Sequence, residues 1–92
     1  MERMKTGTAG REKPQDCVVT VTLGACRGVK VNLNSKMEKM FGKAIVKAAK
    51  DAAKELCVKS AEITIDDYGS LDFVIRARTK TAINRARGDD NE

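Results

Sequence analysis

The residues able to do chemistry are few: three cysteines (Cys17, Cys26 and Cys57), the adjacent Asp66 and Asp67, Tyr68, three serines and a run of C-terminal arginines, with no histidine anywhere. The cysteines form no CxxC pair, and an odd number of thiols without histidine supplies neither a disulfide framework nor a tetrahedral zinc set. They point to a reducing cytoplasm, where Cys17, opening a strand, and Cys57, following a helix, act as small hydrophobes rather than nucleophiles. Asp66 and Asp67 fall in a turn, where neighbouring side chains diverge instead of facing each other across a substrate. Glycines 7, 10, 24, 28 and 69 match neither GxGxxG nor a phosphate loop ending in Lys-Ser/Thr. No catalytic constellation and no metal site emerge, and the chain reads as a non-enzyme.

A basic cluster is the better candidate site. Arg76 and Arg78 would project together from a strand continuing that far, with Arg85 and Arg87 on a following helix. Guanidinium groups fit phosphate oxygens bidentately, so the patch suits a nucleic acid or a phosphorylated cofactor, although a solvated edge explains it equally well. The formal charge of +5, from 18 basic and 13 acidic residues, is compatible with simple solubility. With no Trp, one Tyr and two Phe, stacking platforms for nucleic acid are scarce, which ranks that partner low. Nothing reads as a signal peptide or a membrane-spanning run, so a soluble cytoplasmic protein is expected.

Those side chains must be held by a small framework. At 92 residues the chain fits one domain. Residues 1–16, containing GTAGREKPQD, read as a flexible N-terminal arm, residues 17–87 as a single domain and 88–92 as a polar tail. CVVTVTL (17–23) is a strand, and VKVNL (29–33) alternates cleanly, giving a first antiparallel hairpin. Ser35 caps a helix over about 36–56 and forms a capping box with Glu38, followed by apolar residues at three- and four-residue intervals. Alternation in 61–66 and again in 71–76, around DDYG with Gly69, predicts a second hairpin, and TKTAINRAR a short terminal helix. The expected fold is α+β: two β-hairpins forming an antiparallel sheet packed against a long and a short helix.

The segments TAG (8–10), Asp16 before a VxV-type strand, NSKMEKMFGKAI (34–45) and IDDYGSLDFVIRAR (65–78) resemble the acyl carrier protein, or gamma subunit, of citrate lyase. The match runs from about Thr8 to Ala86, and its DDxGxLDxxxRAR part is the specific one. The resemblance implies a phosphoribosyl-dephospho-coenzyme A group joined to a serine by a phosphodiester. Its thiol would carry acetyl and citryl groups between partners resembling the citrate lyase alpha and beta subunits, the tether raising effective concentration. The family's attachment position falls at Pro14, next to Gln15, where no hydroxyl is present, and residues 1–34 contain no serine. Ser70, in GSLD, is the substitute candidate, and Arg76 and Arg78 would face the phosphates. Three readings follow. The chain presents a coenzyme A-type thioester to its partners; or it has lost the group and serves as a structural or regulatory interaction module; or it is a small basic nucleic-acid-binding domain.

Overall fold

The computed structural model describes residues 5–24, 27–36 and 38–88. Cys26, Met37, the first four residues, the last four, and the Glu38 side chain expected in the capping box lie outside the described residues. The elements are β1 (Lys5–Gly10), β2 (Cys17–Leu23), β3 (Gly28–Ser35), α1 (Glu38–Glu55), β4 (Ser60–Asp67) and α2 (Asp72–Arg87). The strands form one sheet in the order β1-β2-β4-β3. β2 pairs antiparallel with both β1 and β4, whereas β3 runs parallel to β4. No helix among the described residues is long and apolar enough to cross a membrane.

Strand side chains alternate faces, and here one face takes nearly all the apolar residues. Ala9, Val19, Val21, Ala61, Ile63 and Ile65 are buried against the helices. The opposite face is a polar ladder in which Thr6 meets Thr22, Thr8 meets Thr20, and Asn32 donates to Glu62 and Thr64. Both helices fit closely because they present small residues: Ala48, Ala49, Ala52 and Ala53 from α1, and Ala82 and Ala86 beside Ile75 and Ile83 from α2. α1 ends in a left-handed Cys57 (φ 60°), with the Val58 amide donating to the Ala53 carbonyl and the Cys57 amide to that of Lys54.

The α+β class and the one-sided packing are as expected, but the connections differ. β2 and β3 are not a hairpin, because β4 lies between them and makes the sheet mixed. The reason lies in burial: β4 carries fully buried Ala61, Ile63 and Ile65 and belongs in the centre, while Val29, Val31 and Leu33 of β3 are only partly buried and suit an edge. A parallel β3–β4 pair requires a crossover, which α1 supplies. The second expected hairpin is also absent, since residues 72–87 form one helix, so the two helices have 18 and 16 residues instead of being long and short. The alternation of Leu71 and Phe73 is not a core face, for both are 63% exposed. Burial follows Ile75, Thr79, Ala82, Ile83 and Ala86 at helical spacing.

Residues 5–10, expected as part of a flexible arm, form edge strand β1. Its glycine and alanine look like weak strand formers, but packing demands them. A Cβ on Gly7 would stand 2.2 Å from the Ala82 carbonyl oxygen and 2.4 Å from the Ala86 amide nitrogen. The α2 backbone thus rests directly on β1. Gly7→Ala should lower unfolding stability by about 2–3 kcal/mol, measured by urea denaturation; an unchanged midpoint would show that β1 is not pressed against α2.

Candidate functional site

The chain order brings one end of the sheet together with the starts of both helices. Gly10 and Cys17 bound the connection from β1 to β2, and Ser35 and Asp67 close the parallel strands β3 and β4, in register with each other. α1 and α2 start from that same end and run parallel: Asp51 meets Arg76 at 3.6 Å and Glu55 meets Lys80 at 2.9 Å. Pro14 lies in the loop of residues 11–16, exposed over 11–15, at the end from which both helices begin.

Two carboxylates organise this end. Asp16 is 4% exposed and accepts two bonds from Arg78, Nε to Oδ1 at 3.1 Å and Nη2 to Oδ2 at 2.9 Å, plus one from the Cys17 amide at 2.7 Å. Bonds from the Arg78 side chain first, and the Cys17 amide second, hold its pKa below the ordinary carboxylate value. Asp67 accepts from the Ser70 hydroxyl at 2.6 Å, the Ser70 amide at 2.9 Å and the Ser35 hydroxyl at 2.9 Å. Burial acts to raise its pKa, yet these donors outweigh burial and the net direction is down. The Gln15 amide donates to the Tyr68 carbonyl and the Tyr68 amide to the Asp16 carbonyl, both at 2.9 Å, stitching the loop to the β4–α2 turn. Gln15 takes up a left-handed conformation (φ 68°) to make that connection. Between loop and turn lies a cleft of about 450 Å³ bordered by Pro14, Lys13, Lys36, Glu12, Asp66 and Asp67.

The residues singled out from the sequence are distributed differently from expectation. Arg76 and Arg78 lie on α2, about 200° apart around its axis, so they do not form a common cationic patch. Arg76 faces Asp51 and Arg78 is bound to Asp16. Arg85 donates to the Thr8 carbonyl, and Arg87 to the Leu56 carbonyl, which tie α2 to β1 and to the end of α1. Ser70 sits beside the loop, with its hydroxyl given to Asp67. Asp66 and Asp67 do diverge, Asp66 accepting from Asn34 at 3.3 Å while Asp67 turns toward Ser35 and Ser70. Cys17 is buried, and burial pushes its thiol pKa up, whereas Cys57 is exposed. No group of three or more metal-ligating side chains occurs among the described residues. The sequence reading missed the structural weight of Asp16, which it used only as a landmark before a strand. The signal was an acid opening a buried strand together with an arginine on a later helix.

Asp16 and Asp67 both titrate below their ordinary value of 3.8, so their stabilising effect is complete above that range and is lost as pH falls through the lowered folded values. Asp16→Asn should therefore lower the melting temperature by roughly 5–10 °C at neutral pH, with the gap to wild type narrowing on acidification. A gap independent of pH in thermal melts would contradict this.

Comparison with known proteins accords with the geometry. A family model described as "ACP: Malonate decarboxylase delta subunit (MdcD)" matches residues 4–86. The citrate lyase acyl carrier protein of Streptococcus mutans serotype c is 41% identical over 86 residues, covering 94% of this chain and 84% of that protein. The corresponding protein of Clostridium perfringens strain 13 is 40% identical over the same length, covering 94% and 85%. Among solved structures, homoserine kinase from Cytophaga hutchinsonii superposes with a TM-score of 0.62 at 15% identity, spanning all of this chain and 38% of that one, a likeness of fold alone. The match over almost the whole length, at this identity, means that the chain belongs to the acyl-carrier subunit family of the citrate lyase acyl carrier proteins.

Proposed function

We propose that the chain takes the carrier subunit's place in an assembly with partners resembling the citrate lyase alpha and beta subunits, docking through its loop end, and does so without a prosthetic group joined at position 14. The observation that supports this is Pro14 itself. The loop that the resemblance assigns to attachment is exposed and pinned by the Asp16–Arg78 pair and the Tyr68 backbone, yet residues 11–16 carry no hydroxyl. A phosphodiester needs an oxygen nucleophile on the protein side, and a proline ring supplies none.

The surroundings are also a poor fit for a phosphoribosyl-dephospho-coenzyme A group. The cleft borders bring three carboxylates, Glu12, Asp66 and Asp67, against two lysines, Lys13 and Lys36. The two arginines assigned to phosphate are committed to Asp51 and Asp16. Esterifying Ser70 would remove the 2.6 Å donor from Asp67 and set a phosphate beside that carboxylate. The residues do not fit the group.

What the loop end does offer is contact area. Leu71 and Phe73 at the start of α2 are each 63% exposed, and Met40 in the first turn of α1 is 73% exposed. Each large apolar side chain gains roughly 1.5–3 kcal/mol on full burial, enough for an interface anchor. The reading is tested by reconstituting the full chain with alpha and beta subunits from its own host and weighing it intact within the complex. Assembly at the unmodified mass is expected, with Phe73→Asp weakening association about tenfold or more. Failure to assemble, or a phosphopantetheine-containing mass increment, would overturn it.

A further inference from the structure

A second surface runs along the seam between β3 and α1, away from the β1–β2 loop. Two adjoining hollows of about 620 and 410 Å³ share Lys50. Their floor is aliphatic, formed by Val29, Val31, Leu33 and Val46, and their rim is mainly cationic, with Lys43, Lys47, Lys50 and Lys54 against one carboxylate, Asp51. Lys47 is paired with Asp51 at 2.9 Å. Lys43, Lys50 and Lys54 meet no carboxylate among the described residues. β3 is the last strand of the sheet, so in its parallel pairing with β4 half of its main-chain groups are turned away from β4.

These features discriminate between occupants. A second copy of the chain would bring lysine against lysine across the seam, as charged side chains on an edge strand do to block self-pairing. A nucleic acid would neutralise the lysines but leave the aliphatic floor without a partner, and no aromatic side chain lines either hollow to stack a base. An extended polypeptide with alternating acidic and apolar residues answers all three demands. Its main chain pairs with the outer edge of β3, its apolar side chains cover the floor, and its carboxylates reach the lysines.

We infer that the β3–α1 seam is a docking site for an acidic, extended segment of a partner protein, added as a fifth strand beside β3. The inference rests on the chain acting as an assembly subunit and supplies a second contact face for that role. At about 3.3 Å per residue, a partner strand of roughly six residues would run along residues 29–34.

The test is an amide-shift titration of the isotopically labelled full chain with a ten-residue peptide of alternating glutamate and valine. Its lysine–valine counterpart and a ten-nucleotide oligothymidylate serve as rival probes. Expected are shifts confined to residues 29–34 and 42–58, no binding by the lysine peptide, and at least a tenfold weaker dissociation constant for K43E/K50E. K43Q/K50Q should fall between the two. Shifts elsewhere, equal binding of the lysine peptide, tighter binding of the oligonucleotide, or wild-type affinity in K43E/K50E would each overturn the inference. The same charge-reversed chain, put through reconstitution with the alpha and beta subunits, separates the two readings. Wild type failing to assemble sinks the subunit role and leaves the peptide titration standing, whereas undiminished assembly of K43E/K50E sinks only the seam.

Discussion

The pair between Asp16 and Arg78 joins residues 62 positions apart and fixes the end of the molecule on which the rest depends. An isolated buried carboxylate would be costly, and here the two-pronged guanidinium and the Cys17 amide offset that cost. The bond ties the start of β2 to α2. It thereby sets where the loop of residues 11–16 sits relative to the β4–α2 turn, and the Gln15 and Tyr68 amides then complete the join. Beyond that point the constraints are steric. β1 lies beneath α2 because Gly7 has no side chain, and the helices approach the sheet closely because their inner faces are largely alanine.

That arrangement separates two properties that usually travel together in a carrier subunit. The frame around the loop is in place: parallel helices start beside it, and exposed apolar side chains stand at their first turns. Position 14, where the resemblance puts the attachment serine, is a proline and offers no hydroxyl. The arginines show the same separation. In the linear sequence they resemble a phosphate clamp, but in the fold each serves as a brace, Arg76 to α1, Arg78 to β2, Arg85 to β1 and Arg87 to the end of α1. Lys43, Lys50 and Lys54 of α1, which meet no carboxylate among the described residues, lie instead along the seam with β3.

Much of this was legible in the sequence, unevenly and for physical reasons. α1 is legible because its apolar period and lysine stripe run for several turns. β2, β3 and β4 were recognisable from alternation, but their order depends on which strand is wholly buried, a tertiary fact that local patterns do not carry. Residues 71–76 misled because Leu71, Phe73 and Ile75 also fit a strand, and only exposure of the first two exposes the error. β1 was hidden because Gly7 and Ala9 are poor strand formers chosen by their contact with α2. At the site, Pro14 and its missing hydroxyl were evident at once. The roles of Asp16, Asp67 and Ser35 were not, since each depends on partners distant in the chain.

The central claim is that an attachment-type loop persists here without an attachment residue. The most direct measurement compares the intact masses of wild type and Pro14→Ser after incubation with a citrate lyase prosthetic-group transferase and its activated precursor. The account predicts that the serine variant alone gains the mass of the phosphodiester-linked group, at residue 14. Modification of the wild-type chain at any residue would contradict it.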